Sequence, residues 1–463
     1  MISSMLNFTV EVGAPELIRP EKSTPREFKY LSNIDDQTGL RNHIPFVHFL
    51  PPNVAMHNND PVVMIKQALS KVLVFYYPVA GRLRNADKGK LVVDCCGEGV
   101  IFRGGNADIT LKELCNIVDD DGLKPPFPEW DKLLVDDIWG SNFITDSPLL
   151  RMQVTELSCG GFVLAYTFNH CICDAYGAYQ FIKAVSEFCS NPNQTAPSLL
   201  PTWGRETLKP RSPPIISYPH PEYETTYNIP TISYSESQFK ILAQTSVFLS
   251  RTHISALKSN QKCPTFDAVS ACLWRARTRT LIGPSPESSS TTTRLLFPVD
   301  TRFRYEPLLP EGYYGSAVVF PCAITKASKL VHKPLTYAAS LISAVKNRVA
   351  ENEYRASVLD FIEVNGRKGF CSEGAFVVSD MTRLRFMDLD FGWGSKAVYG
   401  GPARAGTGLV PGMVTSLVSH KNKEGVDGML ALVSLPSELV DKFHMEVRKE
   451  IGCVSLPKPV SAL

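Results

Sequence analysis

The stretch from Leu150 to Phe188 constrains this chain more than any other, because its hydrophobic period changes once and abruptly. Leu150 to Leu157 and Phe162 to Phe168 both read as alternating, strand-like segments, with Ser158-Cys159-Gly160-Gly161 between them. Four small or turn-prone residues between two such runs predict an antiparallel hairpin. Beyond Asp174 the apolar residues recur at helical spacing, as Ala178, Phe181, Ile182, Val185 and Phe188. Asn169-His170-Cys171-Ile172-Cys173-Asp174 therefore lies where a strand ends and a helix begins. A side chain placed there is held by rigid elements and can face a cleft, which makes His170 the first candidate for chemistry.

Around this stretch the chain reads as mixed α/β. Phe8 to Val12 and Lys90 to Asp94 are strand candidates, and Pro61 to Val74 has helical spacing with Pro61 suited to the first turn. Tyr76 to Leu83 carries a Pro-Gly turn into a further strand. Between Ser190 and about Ser235 prolines at 192, 197, 201, 210, 213, 214, 219, 221 and 230 exclude regular structure over much of the segment. We read it as a crossover between two domains, which gives boundaries of 1–195, 196–236 and 237–463. In the second half, strands are expected at Phe239 to Leu249, Arg294 to Val299, Ala317 to Ile324 and Ala375 to Ser379. Helices are expected at Ile254 to Lys258, Thr265 to Arg277 with Thr265 as N-cap, and about Leu335 to Val349, and Gly283 to Thr293 reads as an exposed loop.

Charge and cysteine usage narrow the class. The 463 residues carry a formal net charge of only +2, so nothing draws the chain to nucleic acid. No apolar run reaches the roughly 18 residues of a membrane span. Twelve cysteines in a chain this long, none as Cys-x-x-Cys, do not make a disulfide scaffold. The N-terminal residues lack the pattern of a signal peptide, so reduced thiols and a cytosolic setting are expected. On that basis the sequons at Asn7 and Asn193 are idle, and Ser461-Ala462-Leu463 lacks the central Lys of a peroxisomal tripeptide.

Asp390-Phe391-Gly392-Trp393-Gly394 is the second stretch that asks for an explanation, since two glycines flanking a Trp imply unusual backbone angles or a close approach. His170-x-x-x-Asp174 near the middle of the chain, with this stretch near its C-terminus, resembles the BAHD acyltransferases of plants. The likeness extends over nearly the whole chain. It includes Ala68 to Leu73, Tyr77 to Leu83, Leu91 to Val100, Thr265 to Arg277 and Gly312-Tyr313-Tyr314-Gly315. The first half is most similar to the subgroup of alcohol acyltransferases that make acetate, benzoate and tigloyl-type esters.

The resemblance implies two α/β halves, each related to chloramphenicol acetyltransferase, with mixed sheets and a channel between them that reaches His170 from both ends. It implies acyl-CoA as co-substrate, a small-molecule alcohol as acceptor, no permanently bound cofactor, no metal, and a monomer. His170 would take the proton of the alcohol as it attacks the thioester, without an acyl-enzyme. Trp393 is the candidate N–H donor to the oxyanion. Asp390 is grouped with the catalytic residues but is structural by its distance in the family's fold. Asp174 would hold the loop by pairing with Arg302, and Gly392 and Gly394 would shape theirs. Coenzyme contacts fall on Thr265, Asp267, Ser379 and Arg383. Ser316 and Asp300 stand where the family usually has Asn, which points to an unusual acceptor preference.

Four other readings compete. His170, Cys171, Cys173 and Asp174 are potential metal ligands, but four within five residues cannot converge on one ion without a contorted backbone. A hydrolase with Cys171 or Cys173 as nucleophile would be sensitive to thiol reagents. N-acylation of an amine would use the same base. A non-catalytic member of the fold would serve as a partner for another enzyme.

Overall fold

The computed structural model describes residues 8–56, 59–117, 120–127, 131–135, 144–224, 242–258, 262–282, 291–406 and 412–452. Asn7 of the first sequon, residues 225–241 of the Pro-rich stretch and its sequel, most of the Gly283 to Thr293 segment and Ser461-Ala462-Leu463 lie outside them.

In chain order the first half forms β1 (Val10–Val12), β2 (Glu16–Ile18), β3 (Phe28–Tyr30), β4 (His43–Leu50), α1 (Pro61–Phe75), β5 (Arg82–Asn85), β6 (Leu91–Asp94), β7 (Val100–Ala107), α2 (Leu111–Ile117), β8 (Leu150–Leu157), β9 (Phe162–Asn169) and α3 (Ala175–Ser190). The second half forms β10 (Leu242–Ser250), α4 (Arg251–Lys258), α5 (Thr265–Leu281), β11 (Thr292–Leu296), β12 (Val299–Asp300), β13 (Val318–Val319), β14 (Cys322–Lys326), α6 (Ala327–His332), α7 (Leu335–Arg348), α8 (Asn352–Asn365), β15 (Ala375–Asp380), β16 (Tyr399–Pro402), β17 (Val414–Lys421), β18 (Asp427–Pro436) and α9 (Val440–Glu450).

These elements gather into two compact units, and the division is not the one at 196–236 expected from the prolines. The first unit holds Met1–Lys209, Tyr305–Ala317 and Arg383–Arg404, and the second holds the rest. Asp390 to Gly394, expected in the C-terminal domain, therefore belongs with His170. The physical reason is strand pairing: after that stretch β16 closes onto β4 in antiparallel register, with Tyr399 opposite Phe49 and Pro402 opposite Phe46.

The first unit is built on a seven-stranded mixed sheet in the order β1-β7-β8-β9-β4-β16, with β2 also paired to β7. The predicted hairpin is β8–β9, antiparallel from Glu156–Phe162 to Leu150–Phe168. Every residue of β9 is buried, so both of its faces are covered. The alternation expected for this strand is thereby corrected: a strand covered on both faces carries a near-continuous apolar run. α1 starts where Asp60 Oδ1 accepts from Val62 N at 2.7 Å, with Pro61 in the first turn as expected.

The second unit has its own six-stranded sheet, β10-β18-β17-β15-β11-β14. α5 supplies much of its core, with Leu273 and Trp274 both fully buried and the Trp274 N–H donating to Thr293 Oγ1 at 2.9 Å. The N-cap of α5 is Pro264, and Thr265, expected there, is the first helical residue.

Candidate active site

Pairing of β4 with β9 ends at His43 opposite Asn169, and the chain then turns sharply. His170 N donates to Asn42 O at 2.8 Å, Cys171 N to Asn169 Oδ1 at 3.0 Å and Ile172 N to Asn169 O at 3.0 Å. This turn sets the half-buried His170 ring so that Nδ1 lies 3.0 Å from Cys173 O. A carbonyl oxygen only accepts, so Nδ1 carries the proton and the lone pair of the neutral ring sits on Nε2. Burial pushes the His170 pKa below its ordinary value, opposed in part by the negative charge of Asp174, by the Cys173 carbonyl and by Asp35. At neutral pH the ring is therefore uncharged, with Nε2 in the proton-accepting form.

Asp174 does not orient that ring as the aspartate of a Ser-His-Asp relay would, since the Nδ1 partner is Cys173 O. It is the N-cap of α3 in extended backbone, and its Oδ1 accepts from Gly177 N at 3.0 Å. Its Oδ2 accepts from Ala317 N at 3.2 Å. The Tyr305–Ala317 segment is thereby fastened to the first turn of α3. Gly177 is required by the fit, because a Cβ there would fall 1.9 Å from Tyr314 O and 2.7 Å from the Cys173 Cβ. Arg302, the expected partner of Asp174, belongs to the second unit, where its Nη1 donates to Asp300 Oδ1 at 3.0 Å.

The Asp390–Gly394 loop lies far from this turn. Asp390 Oδ1 accepts from Gly394 N at 2.8 Å, which closes the loop on itself, and Ser190 Oγ donates to Asp390 O at 2.8 Å. Gly392 and Gly394 have φ of 85° and 66°, a left-handed backbone that glycine adopts without strain. Ser190 ends α3, and a helix of that length separates it from Asp174 by about 24 Å. Trp393 donates its N–H to Gly160 O at 3.3 Å, and its ring lies 4.9 Å from that of Phe162. Gly160 and Phe162 stand at the start of β9 and His170 just past its end, about 26 Å away at the usual strand rise. The expectation that Trp393 supplies the oxyanion donor is therefore corrected: its N–H is spent on the hairpin carbonyl at the wrong end of the strand. Asp390 is likewise a loop-closing residue, not a partner of His170.

The coenzyme candidates divide. Thr265 and Asp267 share the first turn of α5, and Ser379 lies on β15 opposite Ser416 of β17. Arg383, exposed, belongs to the other unit. Thr265 Oγ1 accepts from Lys258 Nζ at 3.4 Å. Asp267 is fully buried and ion-paired with Lys346, so a direct coenzyme contact from its carboxylate is corrected to a role in holding Lys346.

The competing chemistries find little support in this geometry. The side chains of His170, Cys171 and Asp174 turn to different partners, with the Cys171 thiol 3.6 Å from Leu40 O. Among the described residues no group of three or more His, Cys, Asp or Glu could hold a metal. Burial pushes the Cys171 thiol well above its ordinary pKa, so it is not a ready thiolate nucleophile, and the Cys173 side chain is buried.

The Transferase family model matches residues 8–449. The chain is 45% identical over 450 residues to a benzyl alcohol O-benzoyltransferase of Petunia hybrida, covering 96% of this chain and 94% of that one. It is 43% identical over 454 residues to a 13-hydroxylupanine O-tigloyltransferase of Lupinus albus, covering 96% and 95%. The chain belongs to the BAHD acyltransferases. It is an acyl-transferring enzyme. The crystal structure of vinorine synthase shares the fold, with a TM-score of 0.71 at 21% identity over 95% of this chain and 98% of that one.

Within this BAHD chain, sequence reasoning missed two residues beneath the His170 loop. Arg205, in the Pro-rich stretch, donates to Ile172 O, and Asp35 stands beside it. The available signal was an Arg directly after Trp203 and Gly204 in a stretch otherwise read as a connector. Burial of its charge is what the sequence does not display.

Proposed function

We propose that this protein transfers an acyl group from acyl-CoA to the hydroxyl of a small alcohol, with His170 as the general base. The observation that carries the reading is the His170 ring itself, neutral at pH 7 with Nδ1–H tied to Cys173 O and Nε2 left as the acceptor. An alcohol is too weak an acid to lose its proton unaided, so a base must remove it as the oxygen attacks the thioester carbonyl. His170 Nε2 accepts that proton, the tetrahedral intermediate collapses, and the imidazolium returns the proton to the departing CoA thiolate. No bond between acyl group and protein is formed.

The benzoyl- and tigloyl-transferring relatives support an aromatic or branched short acyl donor. The acceptor class we assign is a primary or secondary alcohol of specialised metabolism. Coenzyme contacts are assigned to Thr265, Ser379 and Arg383, with Asp267 holding Lys346 nearby, and Asp174 is assigned Arg302 as a further partner. We further infer a monomer working in the cytosol. The test is release of free CoA thiol from benzoyl-, tigloyl- and acetyl-CoA with a panel of alcohols and amines. Release that depends on an alcohol supports the reading. Release with amines alone would replace it by N-acylation, and release without any acceptor would replace it by thioester hydrolysis.

A further inference from the structure

A buried ion pair lies beneath the catalytic turn, and no step of the transfer uses it. Arg205 is 3% exposed and Asp35 fully buried, with Arg205 Nε 3.4 Å from Asp35 Oδ2. The arginine is embedded in aromatic rings: its guanidinium carbon lies 3.8 Å from the Trp203 ring centroid and 4.6 Å from that of Tyr314. Its Nη1 donates to Trp203 O at 2.8 Å and its Nη2 to Ile172 O at 2.6 Å. Asp35 is fixed from its other side, since Oδ1 accepts from Ser316 N at 2.8 Å and Oδ2 from Ser32 Oγ at 2.6 Å. Gly315 must lack a side chain for this to fit, because a Cβ there would fall 2.6 Å from the guanidinium carbon.

Stability alone gives little reason to bury such a pair, because desolvating two charges costs about as much as their attraction returns. What it supplies is direction. The Ile172 carbonyl belongs to the peptide that joins Ile172 to Cys173, and the next carbonyl along is the one that holds the His170 Nδ1–H. Arg205 fixes the first peptide and so aims the second.

We propose that Arg205, anchored by Asp35, is a positioning residue that orients the Cys173 carbonyl and thereby selects the Nε2-basic tautomer of His170. The proposal rests on the reading of His170 as the general base. The planar fork of arginine can hold Ile172 O and face Asp35 at once, whereas the point charge of lysine serves one of them at a time. The charged groups bearing on the ring are Asp174, from the start of α3, and Asp35, from the 32–36 turn. Both favour the imidazolium, as does the Cys173 carbonyl, so loss of that carbonyl moves the titration of His170 to lower pH.

The experiment compares wild type with Arg205→Lys by long-range nitrogen–proton NMR correlation on protein labelled with ¹⁵N at its nine histidines. His170→Gln assigns the signal, and no substrate is needed. Expected are a single Nδ1–H tautomer in wild type, and in Arg205→Lys a mixture of tautomers with a lower titration midpoint. In turnover, kcat falls about tenfold or more while KM for acyl-CoA stays within about twofold, as for a base displaced by a fraction of an ångström. An unchanged tautomer and midpoint in folded Arg205→Lys would overturn the proposal. If that variant does not fold, Asp35→Asn/Arg205→Gln leaves no unpaired buried charge and is read by its tautomer alone, because loss of the Asp35 charge by itself lowers the midpoint: a mixture supports the proposal and a single Nδ1–H tautomer overturns it. Absence of turnover in wild type would count against the proposed transfer while leaving the tautomer result to decide the role of Arg205.

Discussion

Replacement of Asp174 by asparagine separates a structural carboxylate from a catalytic one. The side chain is 5% exposed and accepts from Gly177 N at 3.0 Å and Ala317 N at 3.2 Å. Hydrogen bonds to a charged group contribute about 1.5–3 kcal/mol each, and a buried N–H without an acceptor costs about 1–3 kcal/mol. An asparagine oxygen can replace one acceptor, but its NH₂ then faces the other N–H. These two hydrogen bonds alone give a loss of about 2–4 kcal/mol, which for a unit of this size lowers the unfolding midpoint by about 4–16 °C, and the proposed Arg302 partner adds to it. The rate per folded molecule behaves differently. His170 Nδ1 is held by Cys173 O, and removal of a nearby negative charge lowers the His170 pKa further, so the ring stays neutral at pH 7. The folded variant should lose less than about tenfold in kcat, against about 10⁴-fold when the aspartate of a His–Asp relay is changed in the same way. Differential scanning calorimetry and thiol release measured well below the midpoint check the two parts. A variant with wild-type stability and a rate reduced a thousandfold would refute the assignment.

Three further outcomes follow from the same geometry. Trp393→Phe removes the N–H to Gly160 O and part of the packing on Phe162. It should lower stability by about 1–3 kcal/mol in a denaturant titration while leaving kcat unchanged, and a large loss of kcat at full stability would restore the oxyanion role. Gly177→Ala drives a Cβ into Tyr314 O and should prevent the Tyr305–Ala317 segment from docking, seen as loss of soluble, cooperatively unfolding protein. His48 is fully buried, with its pKa pushed down to about 3, and its Nε2 lies 3.2 Å from Tyr166 OH. The unfolded chain then binds a proton between about pH 6.5 and 3 that the folded one refuses, so this contribution is present above pH 6.5 and is lost as pH falls. From pH 7 to 5 wild type should lose about 2 kcal/mol more than His48→Gln by urea unfolding, and equal losses would contradict the assignment.

The turn carrying His170 was legible because a change of hydrophobic period marks it, and the structure places β8 and β9 within a residue of the expected bounds and starts α3 directly after Asp174. β4 was not legible, although it is the partner of β9: Pro45, His43 and His48 break the apolar alternation, and Pro is rare within central strands. The return of Asp390–Gly394 to the first unit depends on pairing between residues some 350 positions apart, which local pattern does not encode. The family resemblance, not the residue types, suggested catalysis for Trp393, and its N–H is consumed where a hairpin needs closing. Arg205 and Asp35 were hidden because a charged residue in a Pro-rich or polar stretch reads as solvated until burial is seen.

The central claim is that His170 removes the alcohol proton directly. Its most direct test is kcat/KM for the alcohol in wild type and His170→Ala, with the best donor from the thiol-release panel. A positioned base contributes about 10²–10⁴-fold, so the variant should fall by at least that factor while remaining folded and still binding acyl-CoA. A folded His170→Ala that keeps more than about a tenth of wild-type kcat/KM would contradict the claim.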